Sequence, residues 1–115
     1  MTISRHITNP RMSQIVTNNN IAYLSGQIPD STDGTIQLQA AEVLAKIEKL
    51  LESAGTSKGN ILSAQIWLTN LDNFDGFNEV WDNWLPADKA PARACVEAKL
   101  VHPGWLVEIQ VCAAI

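Results

Sequence analysis

Charge is scarce in this chain. Asp, Glu, Lys and Arg make up 17% of its 115 residues, against about 25% in an ordinary globular domain. A surface this poor in charge is expected to be partly covered, and self-association is the simplest cover. The eight basic residues are scattered and the net charge is −4, which argues against a phosphate-tracking surface for nucleic acid. No apolar run approaches the ~20 residues that span a bilayer. Met1–His6 carry no hydrophobic signal segment, so the expected location is the cytoplasm. Cysteine is limited to Cys95 and Cys112, with no CxxC and no Cys/His cluster. His6 and His102 lie far apart, so reduced thiols and no metal site are expected. GxGxxG and GxxxxGK[ST] are absent, so no nucleotide-phosphate loop is expected.

Hydrophobic residues are plentiful, at 46%. The length suits one domain, 1–115, with a core of its own. A short strand is expected near Ile3–Ile7, ended by Asn9-Pro10. Ser13–Thr17 and Ile21–Ser25 then read as a hairpin turning at Asn18-Asn19-Asn20, since asparagine tolerates positive φ. From Ile36 to Ala54 the period becomes helical: Ala40, Val43, Leu44, Ile47, Leu50, Leu51 and Ala54 share a face. Glu42 and Lys46 are spaced as an i,i+4 pair on the other face, and Gly55 suits the residue after the helix. Ile61–Leu68 reads as a strand with Leu62, Ala64, Ile66 and Leu68 on one face. Asn70 or Asp72 is placed to cap a second helix with the stripe Phe74, Phe77, Trp81, Trp84 and Leu85, stopped by Pro86. The stripe is expected to be core. Two last strands, Ala92–Leu100 and Trp105–Ala114, flank His102-Pro103-Gly104. The order βββαβαββ predicts an α+β two-layer domain, with a mixed sheet of about six strands and two helices on one face. The last two strands carry apolar residues on both faces, so the second face also calls for a cover.

Arg93 stands in Pro91-Ala92-Arg93-Ala94-Cys95-Val96-Glu97, within a strand pattern. A guanidinium does not lose its proton, so it needs an acid, a ligand or water. Glu108 is similarly embedded in Trp105–Val111. If these strands form a hairpin, Arg93 and Glu108 share a face and stand opposite or diagonal to one another. Two readings stay open on spacing alone. One is a self-satisfying ion pair; the other is a carboxylate receptor with an acid/base beside it. Cys95 has no predictable histidine neighbour and reads as a small buried hydrophobe. Ser25 and Gly26 lie at a strand end, where a ligand can approach the backbone. Asn78 falls off the aromatic stripe, towards solvent.

Ser25-Gly26-Gln27-Ile28-Pro29, Leu71-Asp72-Asn73-Phe74 with Phe77-Asn78, the Pro91–Glu97 block and Val107-Glu108-Ile109 together resemble the Rid family (RidA, YjgF or L-PSP proteins). The likeness runs through nearly the whole chain. Trp81-Asp82-x-Trp84 is similar to the small YoaB-type members. The resemblance implies a chorismate-mutase-like (ferredoxin-like) fold and a homotrimer with sites between subunits. It implies hydrolysis of reactive 2-imino acids of the 2-aminoacrylate type to 2-oxo acids and ammonia, without a cofactor. It implies Arg93 as the receptor for the substrate carboxylate and Glu108 beside the hydrolytic water. Ser25, Gly26, Asn78 and Cys95 would line the pocket. Met12 falls where RidA proper has a tyrosine, so a phenol is replaced by a thioether. The alternative is a non-catalytic module that binds small 2-oxo acids through Arg93. Ribonuclease action, a name some members carry, fits poorly with the acidic chain.

Overall fold

The computed structural model describes residues 2–115. Six strands and two helices follow the expected order: β1 (Ser4–Thr8), β2 (Ser13–Asn18), β3 (Ile21–Leu24), α1 (Ile36–Ser53), β4 (Ile61–Leu68), α2 (Phe74–Trp84), β5 (Ala92–Glu97) and β6 (Val107–Ala114). Asn19 and Asn20 take φ of 51° and 65°, the paired positive values of a tight hairpin turn. Thr35 caps α1 by accepting from the Leu38 amide. Gly55, at φ 82°, ends it: Thr56 N–H reaches back to Leu51 O at 2.9 Å, closing the helix with a left-handed residue. Asn70 caps a single 3₁₀ turn, Leu71–Asn73, that leads into α2.

The sheet order is β1-β2-β3-β6-β4-β5. Every neighbouring pair is antiparallel except β4 and β5. β5 returns through the α2 crossover and so lies parallel to β4. This corrects the expected final hairpin. β4 stands between β5 and β6, and the last two strands do not touch as neighbours.

One face of the sheet carries the helices. Val107, Ile109, Val111 and Ala113 of β6 meet Ala64, Ile66 and Leu68 of β4 beneath Ala40, Val43, Leu44, Ile47 and Leu51 of α1, all buried. Gln39 is also fully buried in α1. Its Nε2 donates to Gly104 O at 2.9 Å and its Oε1 accepts from Leu106 N at 2.7 Å. That pairing removes the cost of burying an amide and ties the 104–106 segment to the helix.

Two local expectations are overturned. A register shift between Ile61 and Ser63 puts Ile61, not Leu62, on the core face; Leu62 is the extra residue of the bulge and is 49% exposed. Glu42 and Lys46 do not pair with each other. Glu42 accepts from Ser31 N and Oγ, while Lys46 reaches Asp30 at 2.7 Å and Ile28 O at 2.8 Å. Both side chains instead pin the 28–31 loop to α1.

Candidate active site

Arg93 leaves β5 on the helix-bearing face. Its register partner is Ala64 of β4, a core position, and partners in a ladder share a face. The guanidinium carbon lies 5.5 Å from the Trp81 ring centroid, 5.9 Å from Phe74 and 6.0 Å from Phe77. Nη1 donates to Asn78 Oδ1 at 2.8 Å. The aromatic stripe of α2 is therefore core at Phe77 and Trp81 and also a platform for the cation. The ion pairs among the described residues are Lys46–Asp30 and Lys58–Glu48, and Arg93 belongs to neither. Arg93 is exposed, its charge uncompensated by any carboxylate. Asn78, expected to face solvent, is half-buried and serves it. Cys95 follows on the same face; burial pushes its thiol pKa up, opposed by the nearby Arg93 charge. A thiol held protonated is a poor nucleophile.

Glu108 leaves β6 on the opposite, open face, directly across from Trp67 of β4. Its carboxylate lies against the backbone of Gly26, where an added Cβ would collide with Oε2. A side chain at position 26 would have to push that carboxylate aside. Among the described residues Glu108 is in no ion pair. Burial alone pushes its pKa above the ordinary glutamate value, the direction that suits a group that takes up and returns a proton.

The shared face expected for Arg93 and Glu108 is therefore wrong. With β4 between them, their strands are roughly 10 Å apart, and the side chains point to opposite faces. Arg93 aligns with Ala64 and Glu108 with Trp67, which separates them by about another 10 Å along the strands. One subunit does not bring both to one small molecule, and a self-satisfying Arg93–Glu108 pair within one subunit is excluded. Each residue instead centres its own cluster: Arg93 with Asn78 and Cys95, Glu108 with Gly26 and its neighbour Ser25. Met12 lies on the turn into β2, exposed, with its amide held by Asn9 Oδ1 at 2.9 Å.

Two polar side chains were not singled out in the sequence. Gln14 and Gln27 meet at Ser25: Ser25 Oγ lies 2.8 Å from Gln14 Oε1, and Gln27 Nε2 lies 2.9 Å from the same oxygen. Gln27 is inside the Ser-Gly-Gln segment, which was the available signal; Gln14 had none. A hollow of about 340 Å³ is lined by Ser63, Gln65, Ala92, Ala94, Gln110 and Cys112 of the open face, and Ala64 and Arg93 also border it. A hollow of about 400 Å³ between Ile7, Gln14 and α1 touches neither Arg93 nor Glu108. Among the described residues no helix is long and apolar enough to cross a membrane.

Residues 3–115 match the family model described as Endoribonuclease L-PSP. The chain belongs to this L-PSP family. It is similar to a RutC family protein of Haemophilus influenzae, 43% identical over 114 residues, covering 98% of each chain. It is also similar to the RutC family protein YoaB of Escherichia coli K12, 39% identical over the full length of both. Among solved structures, a YjgF-family protein from Neisseria meningitidis superposes with a TM-score of 0.96 at 41% identity, over 99% of this chain and 95% of that one. The fold and the family of the resemblance both stand, and the two clusters lie on an L-PSP scaffold.

Proposed function

We propose that this L-PSP family member hydrolyses reactive 2-imino acids, of the 2-aminoacrylate type, to 2-oxo acids and ammonia. The observation that carries the reading is Arg93. Its guanidinium is propped by three rings and a neutral amide oxygen, and among the described residues no carboxylate pairs with it. A planar fork so presented fits a substrate carboxylate. Glu108 supplies the second function. Because the two residues face opposite sides of one sheet, the site is proposed to form between subunits of a homotrimer, Arg93 from one and Glu108 from the next. The open face, with its small residues and exposed Tyr23 and Val96, is the surface offered to a neighbour.

The chemistry balances with water alone. Water attacks C2 of the imine as Glu108 takes its proton, giving a carbinolamine. Glu108 returns that proton to nitrogen, then carries the hydroxyl proton to the same nitrogen as the C–N bond breaks, so that ammonia leaves and the 2-oxo acid forms. An imine carbon is already electrophilic, so holding the short-lived substrate and orienting one water does most of the work. Arg93→Ala is expected to lower kcat/KM about a hundredfold or more, the value of a charge-assisted contact. The check is a coupled assay in which 2-aminoacrylate is generated enzymatically and 2-oxo acid release is followed. Wild-type protein that fails to accelerate release across several amino-acid precursors would sink the reading.

A second reading is favoured by Met12 alone, a thioether where RidA proper has a phenol. The Arg93 cluster would then bind 2-oxo acids without turnover. Tight 2-oxobutyrate binding in a protein inactive on imines would support it.

A further inference from the structure

We propose that Gln14 is a positioning residue that locks the Ser25 hydroxyl as a hydrogen-bond acceptor towards the ligand. The site then takes the N–H of an imine, enamine or amine beside Ser25, and disfavours a carbonyl oxygen there. This rests on the reading of Ser25 as part of the substrate site.

The polarity follows from one backbone carbonyl. Gln27 is buried, and its terminal amide lies 3.1 Å from Ser25 O. A carbonyl oxygen only accepts, so Gln27 must present its nitrogen there. That nitrogen is also 2.9 Å from the Gln14 amide, so the facing Gln14 atom must be its oxygen. Ser25 Oγ lies 2.8 Å from that same oxygen. An amide oxygen has no proton, so the serine donates. Its single proton is spent on Gln14. Gln27 Nε2 adds a weak share at 3.1 Å to Ser25 Oγ, since two protons there serve three oxygens. What the hydroxyl offers a ligand is lone-pair density. The strands hold the arrangement: Ser25 N–H donates to Gln14 O at 2.9 Å. Ser25 is the chain neighbour of Gly26, against which the Glu108 carboxylate lies.

The test compares Gln14→Met, which removes the acceptor, with Gln14→Glu, which keeps an oxygen for both donors. Gln14→Met is expected to lower kcat/KM for imine hydrolysis about tenfold, as loss of one orienting hydrogen bond does. Gln14→Glu should stay within about twofold of wild type, and Ser25→Ala should lose about as much as Gln14→Met. The double variant should lose no more than Ser25→Ala, because both changes act through one hydroxyl. A Gln14→Met protein with lowered melting temperature but wild-type kcat/KM would overturn the proposal, as would multiplicative losses in the double variant. If wild-type protein hydrolyses no imine, the deaminase reading fails separately. The proposal is then judged by calorimetric Kd values for 2-aminobutyrate and 2-oxobutyrate. Wild type should favour the amine-bearing acid and Gln14→Met should erase that preference. An unchanged ratio would overturn it.

Discussion

A guanidinium is a permanent charge, so the surroundings of Arg93 decide whether that charge is available. Here they are a neutral acceptor and aromatic rings, which orient the guanidinium without cancelling it. Glu108 is the converse case, a carboxylate whose charge is discouraged by burial. If it acts as the base, activity should rise with pH through its raised pKa. The acid limb of kcat/KM then lies above the ordinary glutamate value of about 4.3. Glu108→Gln should remove that limb and lower kcat about a hundredfold or more, read from pH–rate profiles. Stability has its own sign. Burial favours the protonated form in the fold, so this group's contribution is complete below the unfolded pKa and is lost as pH rises through the folded one. Glu108→Gln should therefore gain stability relative to wild type between acid and neutral pH, measured by denaturation midpoints across a pH series.

α2 and α1 each contribute one polar residue that apolar periodicity did not mark. Asn78 of α2 offers Arg93 an oxygen without a charge. Asn78→Asp should convert the receptor into a self-satisfied ion pair, raising KM for the imino acid about tenfold while leaving the fold intact. Steady-state kinetics beside a thermal melt would separate the two effects. Gln39 of α1 holds both Gly104 O and Leu106 N. Gln39→Leu should cost about 3 kcal/mol in urea unfolding, because two buried backbone groups lose their partner. The helices, the Asn19–Asn20 turn and every strand were legible from period and turn chemistry. Strand pairing was not. Alternation puts Arg93 on one face with Cys95 and Glu97, and Glu108 on one face with Gln110 and Cys112, but alternation does not say which strand lies alongside which. The α2 crossover put β4 between β5 and β6 and inverted the relation of Arg93 to Glu108. The bulge at Leu62 likewise left no mark in the apolar pattern. Glu42 and Lys46 had ideal helical spacing, yet each found a better partner in the 28–31 loop.

At the scale of the whole molecule, one sheet face is closed by helices and the other carries small and half-apolar side chains beside an unpaired acid. The scarcity of charge in the sequence is consistent with that second face being covered. On the proposed reading, placement of the arginine and the acid on opposite faces leaves a single subunit with half a site, which a second subunit would complete. Mixing two inactive proteins tests this most directly. Arg93→Ala and Glu108→Gln are co-expressed and assayed together for imine hydrolysis. If each site draws its arginine and its glutamate from different subunits of a ring, about a quarter of the sites in a random equal mixture hold both wild-type residues. The account predicts recovery of about a quarter of wild-type activity on that statistical ground. Activity no higher than that of either parent, in a mixture shown to contain mixed oligomers, would contradict it.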